Sequence, residues 1–453
     1  RWSIGGDEGD VLICLESPHT RQAVVEYLKK TVPALKKDGV AKYYDMDFEF
    51  AYVCFCDRAR SSFRDWLKGH YPDIAALNAA WGTSYADFTA VPLPGDDQPK
   101  AATDREIERV ANRAQWYDFA RFNAERFTDY MAWARGEIRK LDPDAQVMTG
   151  APFYMLSANA GWTGIDTELL NERVNDVVLN ECHASTVTTD LLNSIAHGRK
   201  LHQDREYHGD IAHVLPQFLH GMGYLNMWHW PSTPTYSPRS FYLTDVGHSP
   251  EIPLSDVALV LRDALDVRRL GPEIVRFHHQ SSPLAILYSM DSLLQVEPRL
   301  RTARDCPHSF ALKAVYEGCV YNDLPVHFTT ERTIAAEGLK SDRVLILPAV
   351  AYLNRATRAA IEQWTRAGGT LVLTPTSLLG DEYAKPIDDL RRLGVTIRGV
   401  RQADGQVRVA RPDVERDTGF IMGPMTEQDL RAVPVRRLDI ADADLARRVE
   451  RLE

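Results

Sequence analysis

Acidic side chains occupy alternate positions of residues 40–50, a segment that is typical of a β-strand. Because side chains on a strand alternate between its two faces, Asp45, Asp47 and Glu49 share one face. The other face carries tyrosine, methionine and phenylalanine, which can pack on helices. Three carboxyls on one strand face are costly to bury without partners. The pattern fits a catalytic site and a solvated edge or structural ion-pair layer about equally well.

Further residues able to do chemistry stand at the ends of other predicted strands. These residues are Glu181, His183, Glu206, Trp228, His229 and Trp230. Cleavage of a glycoside requires two carboxyls, one to protonate the leaving oxygen and one to attack the anomeric carbon, and aromatic faces can hold the sugar. Taken singly, Glu206 is an ordinary glutamate, so the chemistry depends on whether these strand ends meet.

Alternating strands and helices predict the elements that would bring these residues together. The predicted strands of the first part are 40–50, 146–150, 174–180, 200–206 and 223–230. Strand–helix alternation favours a (β/α)₈ barrel, which needs eight strands. An open doubly wound sheet is the alternative, but no glycine-rich phosphate loop follows any of these strands. Residues 231–250 are rich in proline, serine and threonine and predict a long loop.

A second alternating unit begins near residue 283 and predicts a flavodoxin-like α/β sandwich. We therefore expect three regions: a barrel over 1–275, the sandwich over 283–400, and a tail or the start of a further small domain over 401–453. The class of the whole chain is α/β.

Composition narrows the classes of function. The 453 residues are 44% hydrophobic and 26% charged, with a net charge of −10 and interleaved signs. This composition excludes a disordered chain, and it argues against nucleic acid or an anionic membrane as the main partner. Six cysteines are too few for a disulfide-stapled secreted fold. Arg1 is not followed by a signal-peptide pattern, and the compartment stays open, with the cytoplasm slightly favoured.

Several motifs resemble the family-42 glycoside hydrolases, the β-galactosidases of the large barrel clan. The resemblance includes Asp47-Phe48-Glu49 at a strand end, the pair Cys54 and Cys56, and the segment LNAAWGT at 77–83, which is its most specific part. Residues 342–376 resemble the family's second domain, which mediates trimerisation. The first recognisable barrel strand corresponds to the family's fourth, so we expect the first three βα units to be absent from this chain.

The resemblance implies a retaining glycoside hydrolase. Glu49 would be the general acid/base on the fourth barrel strand and Glu206 the nucleophile on the seventh. Glu181 is the alternative nucleophile, but it falls on the sixth strand. The expected substrate contacts are Asp47, Tyr154, Glu181, His183, Trp228, His229 and Trp230. The expected partners are a carbohydrate substrate and further copies of the chain, as a trimer by resemblance or as a dimer.

Three departures from the family pattern indicate a changed substrate. The asparagine that precedes the acid/base in the family is Phe48 here, and the arginine four residues before the first cysteine is Asp10. The loop after the eighth strand lacks the family's Glu-x-x-His sugar contact. A catalytically inactive barrel that binds sugar or serves as a scaffold is therefore the alternative function.

Catalysis of this kind needs no cofactor, although some family members bind zinc through four cysteines. Cys14, Cys54 and Cys56 match three of these positions, and the fourth is Ala59. Asp57 could replace the missing ligand, but three free thiols are the favoured interpretation because a structural zinc site needs four ligands. No catalytic metal is expected.

The second domain also resembles the class-I amidotransferase sandwich. Activity in that class needs a cysteine on a sharp strand–helix turn, and the segment 342–354 has none. We expect this domain to contact other copies of the chain and to carry no chemistry.

Overall fold

The structure is a computed structural model. It describes residues 14–39, 43–48, 52–96, 110–150, 163–180, 186–206, 211–228, 254–278, 282–296, 306–374, 376–393, 395–402, 434–440 and 449–451. No helix among these residues is long and apolar enough to cross a membrane.

Five short parallel strands and their helices form the first part of the described chain. The elements in order are α1 (Pro18–Asp38), β1 (Tyr44–Phe48), α2 (Asp57–His70), α3 (Ile74–Trp81), α4 (Arg113–Leu141), β2 (Val147–Gly150), α5 (Thr167–Arg173), β3 (Val177–Asn180), α6 (Thr186–Ile195), β4 (Lys200–Glu206), α7 (Ile211–Leu219), β5 (Met222–Trp228), α8 (Leu254–Arg269) and α9 (Gly271–His278). All five strands predicted from the sequence are present.

The strands lie side by side in chain order. β1 pairs with β2, and β3 pairs with β4, which pairs with β5, all in parallel. β2 and β3 are joined where Asp176 donates its N–H to the Val147 carbonyl at 2.9 Å and Val147 donates its N–H to the Asp176 carboxylate at 3.0 Å. Sequential parallel strands joined by helices are the arrangement of a (β/α)₈ barrel.

Capping residues set the ends of the helices. Gly39 ends α1 in the left-handed conformation at φ 63°. The sequence pattern predicts a helix from about residue 104 to 141, but α4 begins at Arg113. The side chain of Asn112 accepts hydrogen bonds from the N–H groups of Ala114 and Gln115, and so starts the helix there.

The second part contains a five-stranded parallel sheet with helices on both faces. Its elements are β6 (Leu284–Leu287), α10 (Met290–Leu294), α11 (Pro307–Tyr321), β7 (His327–Thr329), α12 (Glu331–Glu337), β8 (Val344–Leu347), α13 (Arg355–Arg366), β9 (Thr370–Leu373), α14 (Asp389–Arg392), β10 (Val395–Gln402), β11 (Pro434–Ile440) and β12 (Val449–Arg451). The sheet order is β12-β9-β8-β6-β7, which is the flavodoxin order that the sequence predicts. β10 and β11 form a separate antiparallel pair.

The apolar runs of these strands are explained by burial on both faces. Ile286, Ile346 and Val372 face the barrel side of the sheet. Leu287, Leu347 and their neighbours face the opposite side, towards α12 and α13. Parallel strands covered on both faces read as continuous hydrophobic sequence, as in VLIL at β8.

The two parts share one core and several polar contacts. The cluster that contains Ile286 and Tyr316 also contains Leu191 and Ile195 of α6. At the rim, the guanidinium of Arg332 pairs with Asp166 and, at 3.2 Å, with Glu168. These two carboxylates are only 5% and 3% exposed, so Arg332 neutralises charges that the contact removes from water.

A close approach of two loops fixes the chain just after β1. Tyr52 donates its N–H to the Thr163 carbonyl at 2.6 Å. The next residue, Gly164, has φ +66°, and a Cβ built on it would lie 2.0 Å from the Tyr52 carbonyl oxygen. Only glycine fits this position, because both the backbone conformation and the space exclude a side chain.

We expect Gly164→Ala to lower the free energy of unfolding by about 2 kcal/mol or more, since it combines a strained backbone with overpacking. Gly198→Ala is the matched control: Gly198 has φ +77° but nothing within 4 Å of its added Cβ. It should cost only the left-handed conformation, about 1 kcal/mol. Equal urea midpoints for the two variants would show that the contact between Gly164 and the Tyr52 carbonyl leaves room for a methyl group.

We expect Arg332→Ala to lower the free energy of unfolding by about 3 kcal/mol at pH 8 and by less at pH 5. Burial first, and then Asp166, raise the pKa of Glu168 from 4.5 to about 6. The folded chain therefore binds the proton of the Glu168 carboxyl more tightly than the unfolded chain does. The stability that the protonated carboxyl contributes is lost as the pH rises through 6. Without the guanidinium this pKa rises further and the loss grows.

Urea titrations at both pH values measure this difference. Arg366→Ala is the control, because Arg366 forms an exposed i,i+4 pair with Glu362 at 3.0 Å. An exposed pair contributes roughly 0.5 kcal/mol or less. If the two variants lose the same stability at pH 8, the interface charges do not hold the domains together.

Candidate active site

The strand register brings the ends of neighbouring barrel strands to one edge of the barrel. Phe48, which precedes Glu49, is the last residue of β1 and stands opposite Gly150, the last residue of β2. Glu206 is the last residue of β4 and stands opposite Trp228, the last residue of β5. Because the strands are parallel, these ends form the carboxyl-terminal edge, where barrel enzymes carry their active sites.

The alternation predicted for β1 is confirmed at its first residues. Tyr44 and Met46 pack with Val32 of α1 and Ile138 of α4, on the helix-covered face. Asp45 lies between them and is exposed on the opposite face.

The backbone positions of three predicted site residues are described, and six others lie outside the described residues. Asp47, Glu206 and Trp228 stand at or near the ends of their strands. The six outside the described residues are Glu49, Tyr154, Glu181, His183, His229 and Trp230. The pairing of Glu49 with Glu206 therefore stays a prediction.

The structure adds a buried anchor for the chain that follows Glu49. Tyr52 is 1% exposed, and its hydroxyl oxygen accepts the N–H of Leu15 at 3.1 Å. The guanidinium of Arg126 lies 5.0 Å from the centre of the tyrosine ring and pairs with Glu16 at 3.0 Å. Burial raises the pKa of the Tyr52 hydroxyl well above its ordinary value, so it stays neutral.

This anchor was missed by the sequence analysis, which sought carboxyls at strand ends. Its only signal in the sequence is an aromatic residue that follows Glu49 by three positions, and Arg126 belongs to a helix far along the chain. Together with Gly164, it holds the end of β1 against the next barrel loop. Such support outside the reacting groups is what keeps a catalytic side chain in place.

The three candidate zinc ligands lie close together, but they do not complete a metal site. The sulfur atoms of Cys14 and Cys56 are 3.8 Å apart, and Cys54 is buried beside them. Ala59 at the fourth position has no ligating atom, and its N–H donates to Cys56 Sγ at 3.4 Å. The Asp57 side chain is fully exposed. No group of three or more metal-ligating residues is found within the described ranges.

The thiols differ in their electrostatic surroundings. Burial raises the pKa of Cys14 above its ordinary value. Burial acts in the same direction on Cys56, but hydrogen bonds that its sulfur accepts, the strongest from the Ala59 N–H, outweigh it, so the pKa of Cys56 is lowered. Cys56 is exposed and begins α2 as its N-terminal cap. It is therefore the thiol of this cluster best placed to react.

A cavity of about 260 Å³ lies between the barrel and the carboxyl-terminal edge of the second sheet. Its charged and polar lining includes Arg121, Asp166, Asp291, Glu331, Arg332 and Asn354. Asp291 accepts hydrogen bonds from the hydroxyl of Tyr117 and from the N–H and amide of Asn354, the latter two at 2.8 and 2.7 Å.

Glu331 accepts from the Ser289 hydroxyl at 2.6 Å and the Met290 N–H at 3.2 Å. Burial first, and then the neighbouring Asp291, raise the pKa of Glu331 well above its ordinary value. These acids were not predicted, although they lie in the first turns of α10 and α12, the helices that follow β6 and β7. Glu331 is bonded within the second domain, and Asp291 is bonded to Tyr117 of α4. These hydrogen bonds explain both acids as residues of the contact between the two domains.

The sharp turn after β8 carries no nucleophile. Ala349 occupies it with φ +48°, a conformation that side chains rarely adopt, and its N–H donates to Thr374 Oγ1 at 2.6 Å. A methyl group cannot attack a substrate. His308 below the turn is buried, which lowers its pKa to about 4, and it bonds the Pro348 carbonyl at 2.6 Å.

Comparisons with known proteins agree with the motifs. The sequence model of the family described as "Beta-galactosidase" matches residues 9–199, and the model described as "Beta-galactosidase trimerisation domain" matches residues 282–390. β-Galactosidase LacZ of Lactobacillus acidophilus is 25% identical over 142 residues, which are 30% of this chain and 21% of that protein. β-Galactosidase Bga of Halorubrum lacusprofundi is 32% identical over 140 residues, which are 29% of this chain and 19% of that protein.

Solved structures share the fold. The apo exo-carrageenase GH42 from Bacteroides ovatus superposes with a TM-score of 0.62 at 21% identity, covering 83% of this chain and 55% of that one. The β-galactosidase from Bacillus circulans sp. alkalophilus gives 0.64 at 16% identity, with 86% and 60% covered. The chain thus spans little more than half the length of these solved relatives. With both of the family's domains matched in order, the chain belongs to the family-42 glycoside hydrolases.

Proposed function

We propose that the protein hydrolyses a β-glycosidic bond with retention of configuration, with Glu49 as acid/base and Glu206 as nucleophile. The observation that carries the proposal is the register of the parallel strands. It ends β1 immediately before Glu49 and ends β4 at Glu206, on the same edge of the barrel. The sequences and solved structures that the chain resembles include several proteins named β-galactosidase.

The reaction would take two steps. Glu206, ionised, attacks the anomeric carbon while the Glu49 carboxyl donates its proton to the leaving oxygen, so a glycosyl ester forms and an alcohol departs. A water molecule then gives its proton to Glu49 and attacks the same carbon, which releases the sugar and restores both groups. Two carboxyls about 5–5.5 Å apart are needed for this sequence.

The sugar is proposed to differ from a simple galactoside. The asparagine expected before the acid/base would hydrogen-bond the sugar next to the reacting carbon, and Phe48 cannot. A site built to bond a hydroxyl discriminates strongly, so losing that group changes which substrates are accepted. The solved neighbour named an exo-carrageenase supports a wider range of substrates for this fold and sequence type.

A catalytically inactive sugar-binding or scaffold barrel is the second candidate. The same change at Phe48 favours it, because the missing contact is one that strengthens in the transition state. Turnover of aryl glycosides by the full-length protein separates the two functions. Activity against any aryl β-glycoside excludes the scaffold role as the sole function.

Glu206→Ala should abolish turnover of every substrate, because no other group can form the glycosyl ester. Glu49→Ala should lower kcat/KM by about 10²–10⁴-fold for substrates with poor leaving groups, and far less for activated aryl glycosides. Azide should partly restore the activity of the second variant by replacing water as the attacking group. Initial rates across a series of aryl leaving groups measure this split.

Glu172→Ala is the matched control, since Glu172 is exposed on α5, away from the strand ends, and its loss should leave the rates unchanged. If Glu206→Ala retains turnover and Glu181→Ala does not, the nucleophile is assigned wrongly. If both acids tolerate replacement while the parent protein is active, the chemistry lies elsewhere.

We also propose that residues 282–390 hold copies of the chain together, as the matching trimerisation model suggests. Light scattering of the intact protein at micromolar concentration should give a mass of more than one 51.2 kDa chain. Three chains are the expected assembly. A mass equal to a single chain would contradict this proposal without affecting the proposed chemistry.

A further inference from the structure

The three thiols at the start of α1 and α2 have a geometry that suits oxidation better than metal binding. Cys14 and Cys56 are 42 positions apart in the sequence, yet their sulfur atoms are separated by 3.8 Å. A disulfide needs a sulfur–sulfur distance of about 2.05 Å, so the two atoms must approach by about 1.8 Å. Both side chains are at least partly exposed, and rotation of either can close part of this distance.

We propose that Cys14 and Cys56 are a redox-active pair that forms an intramolecular disulfide with a peroxide as oxidant. This assignment is independent of the proposed hydrolysis. It explains why three thiols persist together although the fourth position is Ala59, which has no atom able to bind a metal.

The surroundings of Cys56 make it the attacking thiol. It is exposed, whereas Cys54 is 4% exposed and belongs to a hydrophobic cluster with Ala59 and Phe127. The sulfur of Cys56 caps α2 by accepting the Ala59 N–H, and a helix N-terminus stabilises a negative charge. Cys14 instead donates its S–H to the Glu16 carboxylate at 3.5 Å, which places a negative group beside it.

The reaction balances with one peroxide for each disulfide. The Cys56 sulfur attacks one oxygen of hydrogen peroxide, the O–O bond breaks, and the departing hydroxide takes up the proton that the Cys56 thiol gives up, so that water leaves. The resulting sulfenic acid is attacked by Cys14, which gives up its proton; the S–O bond breaks and a second water leaves. Two thiols lose two electrons in total, and the peroxide gains them.

The bond would join the segment before α1 to the first turn of α2. Glu16, in the same segment, pairs with Arg126, which lies against the Tyr52 ring. A disulfide here would therefore fasten one more connection onto the anchor that follows β1. It would not require any helix to move as a whole, because both cysteines stand at or before helix ends.

The test uses the reduced full-length protein treated with hydrogen peroxide in its folded state. Free thiols are then counted after unfolding, and linked peptides are identified by mass spectrometry. Two of the six thiols in each chain should disappear, a peptide joining Cys14 to Cys56 should appear, and dithiothreitol should restore both thiols.

Variants identify the role of each thiol. Cys14→Ser should stop the reaction at a sulfenic acid on Cys56, trapped by dimedone, and Cys56→Ser should give no adduct on Cys14. The serine at position 56 can still accept the Ala59 N–H, so α2 keeps its cap. Cys54→Ser is the control and should form the same disulfide as the parent protein.

Three outcomes would overturn the proposal. One is a disulfide between Cys54 and Cys56, or only between different chains. Another is oxidation of Cys56 beyond the sulfenic acid in the parent protein while Cys14 stays a free thiol. The third is one zinc ion per chain in the purified protein that protects these thiols from peroxide, since that would show a metal site in spite of Ala59.

Discussion

Parallel pairing of very short strands is the constraint on which the rest of the structure depends. The strands contain between three and eight residues, and β6, β8 and β9 are apolar on both faces. Strands this short bury enough surface only when helices cover them, so helices lie between successive parallel strands from β1 to β5 and from β6 to β9. Because each connecting helix runs antiparallel to the strands, every strand begins at the same edge of the sheet. All carboxyl ends of the barrel strands then meet at the opposite edge, and the chemistry proposed for the protein depends on that alignment.

The second domain uses its own carboxyl-terminal edge in a different way. In open α/β sheets this edge, at the point where the strand order reverses, is the usual place for a ligand. Here the first turns of α10 and α12, which start at that edge, carry Asp291 and Arg332, whose partners Tyr117 and Asp166 lie in the barrel. The turn that would carry a nucleophile holds Ala349. The polar groups at this edge therefore form a contact between the two domains and not a ligand site. The sheet has the flavodoxin topology, but its carboxyl-terminal edge is structural.

The sequence predicts the fold well because the signals are local. Periodicity placed all five barrel strands and predicted the α/β unit that begins near residue 283, and LNAAWGT at 77–83 indicated the family. The start of α4 was wrong because a single asparagine side chain at position 112 outweighs the helical pattern of the residues before it. The anchor around Tyr52 and the acids of the interface were missed for another reason. Both depend on contacts between residues far apart in the chain, such as Tyr52 with Arg126 and Arg332 with Asp166, and no local pattern reports such contacts.

The change from the family pattern at position 59 falls where other atoms do the structural work. Ala59 is completely buried, and its N–H still caps onto the sulfur of Cys56, so the loss of a thiol there costs neither packing nor the helix start. Cys54 is 4% exposed and acts as a small apolar residue in the same cluster. Two of the three remaining thiols thus have roles in capping and packing that need no metal. By contrast, Gly164 admits no substitute, because its space is filled by the backbone of Tyr52. Contacts between backbone atoms do not depend on which side chain stands at a neighbouring position. A side chain that binds a metal or a sugar can therefore be replaced while the strands keep their register.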